Sequence, residues 1–124
     1  MWELTYPFPY EDGVFSNVYS RFLKTLEYGD LTDVHRYRAQ LRNILEAKDF
    51  EYMVWQEWKE GFARYIENQI RKRQGLVENH IGIQKPFCRV TFYEGGARLI
   101  EFLSAKKPEL LVNIEDLFNE MMYF

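Results

Sequence analysis

The 124-residue chain has one cysteine, Cys88, and two histidines, His35 and His80. A lone thiol excludes an intrachain disulfide and points to a reducing compartment. No glycine-rich segment opens a helix pattern so as to cradle phosphates, and no Cys, His, Asp or Glu set has zinc-ligand spacing. Neither a cofactor nor a metal is therefore expected. No apolar run approaches the roughly 20 residues needed to span a bilayer. The opening Met1-Trp2-Glu3-Leu4 has no basic stretch leading into an apolar one, so it does not read as a signal peptide. These absences together predict a cytoplasmic protein that does not contact membrane. The length predicts one domain over 1–124, with no repeat or linker.

Aromatic residues are in excess. Ten Phe, nine Tyr and three Trp make up 18% of the chain. Rings bury large areas and dominate cores and interfaces alike, and a small interior has limited room for them. The excess predicts self-association or partner binding.

Charge is uneven. Residues 1–60 hold seven Lys/Arg against eleven Asp/Glu, residues 61–107 nine against four, and residues 108–124 none against four. A basic middle between acidic ends could bind an anion, or let two copies dock head to tail. A solvated helix face plus a basic loop is the bland alternative.

Periodicity then places the elements. Pro7 and Pro9 make 1–13 an extended arm whose rings (Trp2, Tyr6, Phe8, Tyr10) pack over the body. Phe15, Val18, Tyr19, Phe22, Leu23 and Leu26 predict a helix over 14–28, capped by Asp12 or Ser16 and stopped at Gly29. Asp30 or Thr32 caps a second, with Val34, Leu41, Ile44 and Leu45 inward and Arg36, Arg38 and Arg42 away from that stripe. The third spans 50–74, capped by Asp49. Its apolar arc runs through Val54, Trp55, Trp58, Phe62, Tyr65, Ile66 and Ile70, and Glu60–Arg64 and Glu67–Arg71 form i, i+4 pairs on the wet face. Mid-helix Gly61 permits close approach of another helix.

After a loop over 75–86, residues 87–93 and 97–103 around Glu94-Gly95-Gly96 read as a β-hairpin. Pro108 opens a last helix. The expected architecture is α+β, helix-dominant: three N-terminal helices, a hairpin near 87–103 and a C-terminal helix. An all-α fold, with 97–105 helical, is the alternative.

No stretch carries a specific catalytic signature. Glu57 and Glu60, one turn apart, read as surface charges, and Cys88 as a small buried residue on a strand. Arg73 and His80, six residues between them, resemble the Arg-x(4–6)-His motif of the HEPN ribonucleases, which are small, helical and usually dimeric. The resemblance covers those two residues and departs from the family in placing Gly75 between them. It implies an arginine that stabilises phosphate charge and a histidine in acid–base chemistry. The larger basic set, Arg64, Arg71, Lys72, Arg73, Lys85, Arg89 and Arg98, points instead to nucleic-acid binding through 64–98. The acidic pI of about 5.4 opposes it.

By elimination and aromatic excess, the sequence favours a non-enzymatic interaction protein, as a homodimer. It would occupy the surface of another protein, as small accessory, regulatory or viral inhibitor proteins do. The expected contact residues are Trp55, Trp58 and Tyr65 with the C-terminal Met121, Met122, Tyr123 and Phe124. Chain ends are usually polar and frayed, so an apolar one implies docking.

Overall fold

The computed structural model describes residues 5–124. The N-terminal reading of residues 1–4 and the packing of Trp2 lie outside the described residues. Five α-helices are present among them: α1 (Gly13–Tyr28), α2 (Leu31–Ile44), α3 (Ala47–Arg73), α4 (Arg89–Lys106) and α5 (Ile114–Tyr123), with a 3-10 turn over Pro108–Leu111. No helix among them is long and apolar enough to cross a membrane.

Local chemistry sets the boundaries. The Asp12 carboxylate accepts the Val14 N–H at 2.9 Å and starts α1. Gly29, at φ 79°, ends it in the left-handed region that a side chain would oppose. Asp30 caps α2 through the Thr32 and Asp33 amides. Helix α3 starts at Ala47, one turn ahead of expectation, with Asp49 in its first turn, where a carboxylate suits the helix dipole. The last helix is split. Pro108 opens only the 3-10 turn, and Asn113 then caps α5 through the Asp116 amide at 3.2 Å.

The hairpin is absent. Residues 89–106 form one helix through Gly95 and Gly96. Its start is held by Thr91 Oγ1, which accepts the Cys88 N–H at 3.1 Å. Cys88 is accordingly an exposed residue ahead of a helix, not a buried strand residue. Val90-Thr91-Phe92-Tyr93 has strand-like composition, but α4 lies against α1 and α3, and burial on nearly all sides overrides propensity. The all-α alternative fits this architecture, with the helix reaching back to Arg89.

The two glycines mark a helix crossing rather than a turn. A Cβ built on Gly61 would stand 2.6 Å from the Gly96 Cα, and one on Gly96 would stand 2.6 Å from the Glu57 Cα. Only hydrogens fit where α3 and α4 cross. Gly61 therefore does what its position in the sequence implied, and its partner is the pair read as a turn.

The arm completes the core as expected. Phe8 is buried edge-on to Phe92 (5.1 Å between centroids) and to Phe15 (5.0 Å). Tyr6 stacks on Tyr52 at 4.4 Å and donates its hydroxyl to Asp49. Most rings are housed inside; among the described aromatic residues only Tyr28 and Tyr123 are strongly exposed.

Candidate functional site

Helix α3 carries three different faces, and they are not the ones its apolar residues suggest. The buried stripe starts at Val54, inward as expected, and runs on through Glu57, Gly61, Arg64 and Asn68. The arc of Trp55, Trp58, Phe62 and Tyr65 forms a half-buried flank, and Ile66 and Ile70 are exposed beside it. Glu57 and Arg38, read as wet, are both fully buried. Arg38 grips the carboxylate with two bonds, Nη2 to Oε1 at 2.8 Å and Nη1 to Oε2 at 3.1 Å, and Tyr19 donates its hydroxyl to Oε2 at 2.8 Å. Arg38 Nη2 also donates to the Met121 carbonyl at 2.9 Å, which ties α5 to the same centre. Arg38 Nε has no hydrogen-bond partner among the described residues. Burial and then the Glu57 charge hold the Tyr19 phenol well above its ordinary value of 10. All three side chains are fully buried, and this is a structural network. The signal for it was spacing. Arg38 falls four residues after Val34 and three before Leu41, squarely on the core stripe of α2.

A second buried carboxylate, Glu94 on α4, was not anticipated. It accepts from Arg98 Nε at 2.8 Å, approaches Arg64 Nη1 at 3.4 Å and bonds His80 Nδ1 at 2.8 Å. His80 sits on a strap, residues 75–88, that runs back along α3. Three α3 side chains hold it. Arg71 Nη1 donates to the Val77 carbonyl at 3.2 Å, Asn68 makes two bonds to the Asn79 backbone (3.0 and 2.7 Å), and Arg64 donates to the Ile81 carbonyl. His80 faces an open cleft of about 350 Å³ shared with Lys72, Arg98, Glu27, Glu78 and Glu101. Arg73 is exposed and does not line that cleft, so the residue the HEPN-like motif pairs with the histidine is replaced there by Lys72 and Arg98. Among the described residues, no three His, Cys, Asp or Glu side chains are arranged to hold a metal ion.

The basic set is divided. Arg64 and Arg98 are committed to Glu94, and Arg71 pairs with Glu67 at 2.9 Å, as its spacing implied. Arg64 thereby leaves the surface pairing expected with Glu60. Arg89 donates to the Tyr93 hydroxyl at 3.2 Å, Lys72 lies 3.8 Å from Glu78, and Lys85 is exposed near the Phe87 ring.

The expected contact residues divide too. Met121 is fully buried and serves the core. Phe124 packs on His35 at 4.8 Å, Met122 is half-buried and offers its carbonyl to Arg42, and Tyr123 is exposed. Tyr65 is half-buried against the core. Trp55 and Trp58 line one groove, together with Glu115, Phe118 and Asn119 of α5, with a volume of about 370 Å³. Trp58 is fixed: its Nε1–H donates to the Ile114 carbonyl at 2.8 Å and its ring meets Phe118 edge-on at 5.2 Å. Lys59 covers one face of Trp55 at 4.7 Å. The groove can receive an apolar side chain, with Glu115 and Asn119 as polar contacts at its edge.

Compared with known proteins, the chain matches no family model, no curated protein and no solved structure.

Proposed function

We propose that this chain is a small non-enzymatic protein-binding protein, of an accessory, regulatory or inhibitory kind, that receives an apolar side chain of another protein in the groove between α3 and α5. The observation that supports this reading most is the pairing of Trp55 and Trp58 on a flank that α5 covers only in part. A rigid aromatic wall beside a few polar groups is the composition of an interface anchor site. The test is capture from native lysate with wild-type protein and with Trp55→Ala, the fold of each checked by circular dichroism. A stoichiometric partner captured by the wild type and lost with the variant supports the groove. Partners retained equally by both would reject it.

A nucleic-acid reading draws support from exposed Arg73 and Lys85 on the strap side of the molecule. Fluorescence anisotropy with labelled oligonucleotides at two salt concentrations tests it. Salt-sensitive binding lost on reversing Arg71 and Arg73 would favour it over the groove.

A further inference from the structure

The two ends of α3 carry surfaces of opposite charge. Along its N-terminal half lies α5, tied at Trp58 and through Arg38. Along its C-terminal half lies the strap, tied at Arg64, Asn68 and Arg71. Trp58 and Arg71 stand about 20 Å apart along the helix axis, at about 1.5 Å per residue.

The strap end is exposed and carries apolar and basic side chains. Val77 is 85% exposed, Ile81 66% and Leu76 52%, and Arg73 and Lys85 flank them in the sequence. The other end is concave, apolar and acidic. Between the 3-10 turn and α5 lies an open hollow of about 580 Å³ whose lining includes Glu109, Asp116 and Tyr123. Tyr123 is 74% exposed there. Lys107, also in the hollow, is held by Glu120 at 3.1 Å, and no Lys or Arg follows it in the chain. On the strap Lys72 lies 3.8 Å from Glu78, which leaves Arg73 and Lys85 in excess beside Val77 and Leu76; in the hollow Lys107 is held by Glu120, which leaves Glu109 and Asp116 in excess beside Tyr123, so the net charges are opposite.

We propose that the hollow between the 3-10 turn and α5 receives the strap of a second copy of this chain, with Val77 and Leu76 against Tyr123 and Arg73 toward Glu109 and Asp116. The contact goes beyond the proposed function and uses neither tryptophan of the groove. Because it joins two different surfaces, each added copy leaves one strap and one hollow open. Association is therefore head to tail and does not close at two copies unless geometry bends the chain into a ring. Small patches of this kind bind weakly, and the charged component is screened by salt.

Sedimentation equilibrium up to about 1 mM, a range that reaches weak interfaces, tests this with the intact chain. The expected result is a weight-average mass that climbs above 15.1 kDa with concentration, without a plateau at twice that value, and falls in high salt. Val77→Asp disables only the strap and Tyr123→Glu only the hollow; both residues are exposed, so both variants keep the fold. Each variant alone is expected to remain monomeric, whereas an equimolar mixture forms a complex that stops at two chains, one intact strap in one intact hollow. A wild-type protein that stays monomeric throughout overturns the proposal. So does a closed dimer whose variants fail to complement each other. Recruitment of the strap to vesicles of anionic phospholipid without self-association would likewise overturn it and assign that surface to membrane.

Discussion

Gly61 and Gly96 face each other across the crossing of α3 and α4 with no space for a side chain on either: a Cβ on Gly61 would stand 2.6 Å from the Gly96 Cα. Helix propensity alone would favour alanine at both positions by about 1 kcal/mol. Here the obstructing atoms are backbone, which cannot swing aside, so the two helices must separate. Gly96→Ala is expected to destabilise the protein by roughly 1–3 kcal/mol or more, as overpacking does. Gly13→Ala is the control, since nothing lies within 4 Å of its added Cβ, and it is expected to be neutral or stabilising by up to about 1 kcal/mol. In urea denaturation the midpoint should fall for Gly96→Ala and hold or rise for Gly13→Ala.

The same two glycines show where the sequence was legible. Helices α1, α2 and α3 follow from periodic apolar positions and from caps such as Asp12, Asp30 and Gly29, because a helix buried on one face must alternate its chemistry. Helix α4 is buried nearly all round, so it has no polar face to betray its period, and Gly95-Gly96 imitates a turn. The buried charges were hidden for a related reason. Glu57 and Glu94 are indistinguishable in sequence from surface carboxylates, and their partners, Arg38 for the one and Arg98, Arg64 and His80 for the other, make burial tolerable. The groove was half legible: Trp55 and Trp58 stood out by type and spacing, while Phe118 and Glu115 are brought to them by the docking of α5.

Arg38 and Glu57 are coupled partners in the interior. Removing one strands the other as a buried charge, a loss of roughly 3–5 kcal/mol, whereas removing both removes the debt. Arg38→Met and Glu57→Leu are each expected to be severely destabilising, and the double variant less so than the sum of the two. A double-mutant cycle by urea denaturation reads this directly. Strict additivity would show that the two bonds at 2.8 and 3.1 Å carry no coupling.

Tyr19 makes stability fall in alkali. Burial and then the Glu57 carboxylate hold its phenol well above 10, whereas the unfolded chain releases that proton near 10. Above pH 10 the native state therefore binds more protons than the unfolded state, and stability declines as pH rises; below pH 10 the term is fully retained. Tyr6, pushed up to about 12 by burial and its bond to Asp49, adds to the same slope. Tyr19→Phe is expected to lower stability at neutral pH through the lost hydroxyl bond while flattening the decline above pH 10. Denaturation midpoints measured across that range for both proteins would show it, and parallel curves would contradict it.

Most of the strap is exposed, and Asn68 is the residue that fastens its middle. Its amide donates to the Asn79 carbonyl at 3.0 Å and accepts the Asn79 N–H at 2.7 Å. Asn68→Ala removes both bonds, an expected loss of roughly 1–3 kcal/mol. Because these bonds hold the mostly exposed stretch ahead of buried Phe87, most of that loss is expected to appear locally. Trypsin should then cut after Lys72 or Arg73 several times faster than in the wild type, with little change in the thermal midpoint. His80→Ala severs a further fastening, the 2.8 Å bond to Glu94, and is expected to give the same proteolytic signature. A wild-type protein that cleaves labelled RNA, combined with a His80→Ala variant that loses this cleavage while its strap resists trypsin normally, would instead make the histidine catalytic.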